Sequence, residues 1–153
     1  MMFDFNVNAL IAYLRENNAQ PELQKETGQV FLLHQLQGYE VPIFFLLRPE
    51  STLLQIIAYL PFRIPDKTLG DTARLLHILN RDLDMPGFGI DESEKMSFFR
   101  CVVPALDGKI EKRFFNMYLA TSKIACDTFM RAIGMIVSGS APLEDVLKET
   151  KKV

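Results

Sequence analysis

Apolar and polar positions along the chain change period several times, and each change marks an element. From Asn8 to Asn18 the apolar residues Leu10, Ile11, Tyr13 and Leu14 fall on one side of a helical wheel, with Asn6 or Asn8 placed to cap the helix. The polar stretch that follows has room for a short strand around Leu23. From Val30 to Leu60 the chain turns strongly apolar, rich in β-branched and aromatic residues, and its formal charges reduce to Glu40, Arg48 and Glu50. Turn signals at Gly38 and Pro49 divide it into three strands, Val30 to Gln37, Tyr39 to Arg48 and Thr52 to Leu60. Their short connections predict antiparallel neighbours. Pro42 cannot donate to a ladder and belongs at a bulge or an unpaired side.

The stretch "LPFRIPDKT" then switches element. Pro61 is expected to end the ladder, Pro65 keeps Ile64 extended, and Asp66 or Thr68 is placed to cap a helix that runs to about Leu83. Its expected buried stripe is Leu69, Ala73, Leu76, Leu79 and Leu83. Phe88 to Ile90 reads as a short strand and Lys95 to Val103 as a longer one ended by Pro104, with "LDG" as a further turn. A long helical period follows from about Ile110 to Val137 and stops at Ser138-Gly139. Its expected apolar side carries Phe114, Met117, Tyr118, Ala125, Phe129, Ile133 and Ile136. The order α-β-β-β-α-β-β-α predicts an α+β fold with an antiparallel sheet of five or six strands. A single domain is expected over residues 1–153, with a core over 1–139 and a short amphipathic tail over 140–153.

The strands are apolar on both faces. In the second, Val41, Ile43, Phe45 and Leu47 share one face, and Pro42, Phe44 and Leu46 share the other. In the third, Leu54, Ile56, Ala58 and Leu60 oppose Leu53, Ile57 and Tyr59. A sheet covered on one side alternates apolar with polar positions. Either helices cover both faces, or the second face meets another chain. Phe44, Leu46, Leu53 and Tyr59 are the candidate partner or dimer surface.

Composition excludes more than it selects. The 153 residues carry a net charge of -2, without the basic excess of a nucleic-acid binder. The apolar run Ile43 to Leu47 is far too short for a membrane span, which needs about 20 residues. The first residues, "MMFDFNVNAL", have no basic region and no cleavage site of an export signal, so a cytoplasmic protein with two reduced thiols is expected.

Candidate chemistry is sparse. His34 shares a strand face with Leu32 and Leu36, and a catalytic role there needs a positioned nucleophile or carboxylate. His77 lies with Arg74 and Arg81 on a solvated helical flank. Cys101 alternates with Phe99 and Val103 and points to the core; Cys126 lies on the long helix. These cysteines and histidines do not have metal-ligand spacing. Asp82, Asp84, Asp91, Glu92 and Glu94 make an acidic turn region without the pattern of a calcium loop, and Lys109 to Arg113 is a short basic cluster that reads as solvent-facing charge. No catalytic, cofactor-binding or metal-binding set emerges.

The segments "LLQIIAYLPFRIPDKT", "ARLLHILNRDLDMPGFGIDE" and "MSFFRCVVP" resemble the YbjN-like family and its relatives with the type III secretion chaperone-like fold. The resemblance rests on Pro61 and Pro65, Leu79-Asn80, Gly87-Phe88 and the strand Phe98 to Val103 before a long helix. It implies a small acidic cytoplasmic protein, usually a homodimer, without catalytic residues. The reading is a non-catalytic protein-binding domain, chaperone-like or a regulatory adaptor, that captures a polypeptide through apolar sheet and helix surfaces. The alternative is a small-molecule binder or enzyme using a pocket near His34 or the acidic turn region.

Overall fold

The computed structural model describes residues 1–150. Strands β1 (Met2–Asp4), β2 (Glu22–Leu23), β3 (Val30–Leu36), β4 (Tyr39–Arg48), β5 (Leu53–Arg63), β6 (Phe88–Asp91), β7 (Met96–Pro104) and β8 (Lys109–Glu111) alternate with helices α1 (Val7–Glu16), α2 (Asp66–Asp82), α3 (Lys112–Ser138) and α4 (Leu143–Thr150). Six strands form an antiparallel sheet in the order β2-β3-β4-β5-β7-β6. The fold is α+β with the expected order of major elements. The end of the amphipathic tail, residues 151–153, lies outside the described residues.

Local chemistry explains the strand connections. Gln37 and Gly38, both with positive φ (51° and 82°), make the two-residue hairpin between β3 and β4. That backbone matches the twist of the flanking strands. Pro61 does not end β5 as expected. The register shifts between Tyr59 and Arg63, the ladder steps over the missing N–H, and pairing resumes at Arg63 with Met96.

Three-residue strands β1 and β8 escape any periodicity. They pair as Met2–Glu111, Phe3–Ile110 and Asp4–Lys109, with the Lys109 ammonium 2.7 Å from the Asp4 carboxylate. Helix α3 starts at Lys112, directly after β8, and keeps Ala125, Ile133 and Ile136 of its expected stripe buried. Phe115, Ser122, Ala125, Cys126, Met130 and Ile133 face inward, and Phe114 and Met117, expected inside, are exposed. Phe115 then meets Phe3 (5.5 Å), Tyr13 (5.7 Å) and Phe45 (5.7 Å), which locks the N-terminal strand and α1 to the sheet.

Helix α2 begins without a side-chain cap, contrary to expectation. Asp66 instead pairs with Lys95 at 3.2 Å. Thr68 turns inward and donates to the Val137 carbonyl at 3.0 Å, satisfying an acceptor in the last turn of α3. The buried positions are accordingly Thr68, Thr72, Leu75, Leu76 and Leu79, and Ala73 is exposed.

The "LN" and "GFG" signatures have a shared physical basis. The Asn80 amide donates to the Phe88 carbonyl and accepts from its N–H, both at 2.9 Å, and so stands in for a neighbouring strand along β6. A Cβ at Gly87 would lie 2.3 Å from the Arg100 carbonyl oxygen, and one at Gly89 would lie 2.7 Å from the Phe98 ring. Only glycine lets β6 approach β7 this closely. Asn80→Ala strands both groups of Phe88, and urea unfolding should show a loss of about 1–3 kcal/mol, with the wild-type fold retained.

Candidate functional site

The buried cluster is built on one face of the sheet. Val30, Leu32, Val41, Ile43, Phe45, Leu54, Ile56, Ala58, Leu60, Phe99, Cys101 and Val103 join residues of all four helices in it. Leu47 is half-buried at its margin. Residues of the opposite face, Phe31, Pro42, Phe44, Leu46, Leu53, Tyr59 and Phe98, are absent from that cluster and half-buried.

Antiparallel register aligns this second face in rows. Phe31, Phe44, Ile57 and Arg100 lie across from one another, as do Leu46, Gln55 and Val102, and Tyr59 sits opposite Phe98. Four aromatic rings cross the sheet in contact: Phe31–Phe44 at 5.4 Å, Phe44–Tyr59 at 5.8 Å and Tyr59–Phe98 at 6.0 Å. Arg100 covers the Phe98 ring at 5.7 Å. Leu33 at one border is 47% exposed and Val102 at the other 40%, so the apolar rows reach solvent rather than closing under a helix. A depression of about 350 Å³ runs over Pro42, Phe44, Leu46, Ile57 and Tyr59, rimmed by Gln24, Gln29 and Glu94.

Electrostatics at the rim are modest. Burial pushes the Tyr59 phenol above its usual range; the carboxylates of Asp91 and Glu94 add to the effect, and Arg100 opposes it. Asp91 is held below the ordinary carboxylate range first by the Ser93 hydroxyl, which donates to it at 2.7 Å, and then by the backbone N–H groups of Glu94 and Ser93. It is a turn-forming carboxylate. Asp82 pairs with Arg81 at 3.3 Å. The acidic turn region thus spends two of its carboxylates on local structure. The basic cluster does the same: Lys109 holds Asp4, and Lys112 lies 5.0 Å from the Tyr13 ring centroid.

The histidines and thiols are kept apart from reactive partners. His34 lies on the covered side opposite Val41, and its pKa is lowered first by burial and then by Lys123, with Asp127 opposing. No hydrogen bond reaches its ring from a nucleophile or carboxylate among the described residues. His77 is exposed on α2. Cys101 and Cys126 are buried. Burial raises the Cys101 pKa, against a hydrogen bond from Ser122 at 3.4 Å. Burial, with a smaller contribution from Cys101, pushes Cys126 up to about 12. A protonated, buried thiol is a poor nucleophile. The described residues contain no cluster of His, Cys, Asp and Glu that could hold a metal, and no helix long and apolar enough to cross a membrane.

Fold and site together define an α+β domain with a one-sided helical cover, whose open face offers apolar contact area. Residues 6–135 match the model of the YbjN family, described as "Putative bacterial sensory transduction regulator", and the chain belongs to that family. No curated protein matches the chain significantly.

The thiols supply a direct check on this geometry. Both should resist an aromatic disulfide reagent at pH 8 in the folded protein and react at once in denaturant. The sign of the pH effect follows from Cys126. Its folded pKa is raised from 9.0 to about 12, so the folded state holds the proton longer and stability falls as pH rises from 9.0 toward 12. Cys126→Val should flatten that decline in urea titrations relative to wild type.

Proposed function

We propose that this protein is a non-catalytic regulatory domain of the cytoplasm, chaperone-like in operation, that captures a polypeptide on the open face of its sheet. The observation that carries this reading is the row of four aromatic rings, Phe31, Phe44, Tyr59 and Phe98, on the face that no helix covers among the described residues. Aromatic residues with a basic companion such as Arg100 are the composition that binding hot spots favour. Phe44, Leu46, Leu53 and Tyr59 form the contact set, and the depression beneath Phe44 and Tyr59 receives an apolar anchor from the partner. A second copy of the chain competes for the same surface, which makes the homodimer the resting form of the domain.

The absence of catalysis in this reading rests on chemistry. The thiols are held protonated, and His34 faces away from the open surface. The alternative of a small-molecule pocket has less behind it. The notch of about 350 Å³ beside His34 is lined by Asn18, Gln20, Glu22 and Leu33, all exposed, and gathers no set of buried polar groups around the ring.

Phe44→Asp tests the reading. An unpaired charge in an apolar contact costs several kcal/mol of association. The variant should keep the wild-type circular dichroism spectrum and lose self-association and partner capture in sedimentation velocity. A variant that unfolds or aggregates would place Phe44 in a closed core, and a folded variant that assembles like wild type would remove Phe44 from the contact set.

A further inference from the structure

The two edges of the six-stranded sheet are finished differently. At β6 the edge is plugged: the side chain of Asn80 takes both the N–H and the C=O of Phe88. At the other edge, β2 pairs with β3 at Val30 and Phe31 alone. From Leu32 to Leu36, β3 has β4 on one side and no strand on the other among the described residues. Natural edges are usually guarded by lysine, proline or a bulge. The β3 sequence VFLLHQL has no proline and no formal charge, and it pairs with β4 without a register shift. Such a segment left bare is a template for another strand.

Resting on the polypeptide-capture reading above, we propose that the outer edge of β3 from Leu32 to Leu36 takes an extended segment of the partner as a seventh strand of the sheet. Ladder hydrogen bonds set the occupant's backbone as extended. Alternation sets its side chains. The residue across from Leu33 falls on the open face, where Leu33 already pairs with Pro42, and an aliphatic side chain there extends the apolar surface. The residue across from His34 falls on the covered side, into a notch of about 350 Å³ bordered by Ala19, Gln20, Glu22 and Lys123. Lys123 takes part in none of the ion pairs among the described residues, although its charge is felt by His34. A carboxylate at that position of the partner strand pairs with it. Five edge residues span about 17 Å, so a segment of five to seven residues fills the site.

The experiment uses the whole chain and a panel of synthetic eight-residue peptides, leucine alternating with glutamate or threonine, each with a copy N-methylated on its backbone. Amide hydrogen exchange is read residue by residue. The proposal expects the outward amides within Leu32–Leu36 to slow at least tenfold with glutamate-containing peptides, N-methylated copies to have no effect, and Lys123→Glu to weaken binding at least fivefold. No slowing at Leu32–Leu36 with any peptide, or equal slowing with N-methylated copies, overturns it. Slowing confined to Phe44 and Tyr59 overturns the edge while leaving capture on the open face standing. Slowing that grows with protein concentration in the absence of peptide assigns the edge to a second copy and also overturns it.

Discussion

The packing of α3 across β5 and β7 is the constraint on which the rest depends. One long helix supplies the inward row Phe115, Ser122, Cys126, Met130 and Ile133, and the sheet answers with Phe45, Ile56, Ala58, Phe99 and Cys101. Around that seam α1, α2 and α4 find places on the same side. Thr68 joins α2 to the end of α3, and Leu143 and Val146 carry α4 into the same cluster. With the helices of the described residues packed on one face, the other is left to its own side chains. Phe31, Phe44, Tyr59 and Phe98 shield one another and still meet solvent. The exposure of that face is a consequence of where the helices went.

Much of this was legible in the sequence because the strands are long. Over ten residues of β4 the alternation of Val41, Ile43 and Phe45 against Pro42, Phe44 and Leu46 separates two faces, and the register in the fold preserves that separation. The turns at Gly38 and Gly139 were legible for a similar reason, since few residue types tolerate positive φ. What failed was short or non-local. Strands β1 and β8 are three residues each and pair across most of the chain, so no local period announces them. On α3 the period held for Ala125, Ile133 and Ile136, which are buried, and failed only in the first turns, where Phe115 is buried and Phe114 exposed. Thr68 looked like a cap because capping chemistry is local. It serves a distant carbonyl instead, which only tertiary contact reveals.

The candidate surface was legible as a residue set and illegible as a site. Alternation alone grouped Phe44, Leu46, Leu53 and Tyr59, and register places them on a common face. Sequence could not say that Phe31 and Phe98 continue the row, because each belongs to a strand whose alignment depends on its neighbours. Nor could it distinguish the plugged β6 edge from the bare β3 edge, a difference that turns on the two hydrogen bonds of Asn80. The proposed role would work through contact area and hydrogen-bond templates, which leave little in the way of reactive motifs to read.

The central claim is that the open face is a contact surface in the living cell. Hydroxyl-radical footprinting, performed on dilute purified protein and inside cells, measures this at single side chains. The account predicts that Phe44, Tyr59 and Phe98 are oxidised in dilute solution and strongly protected in cells, with exposed Phe114 and Met117 on α3 oxidised equally in both. Equal oxidation of Phe44, Tyr59 and Phe98 in the two settings, or protection that falls on Phe114 and Met117 instead, would contradict it.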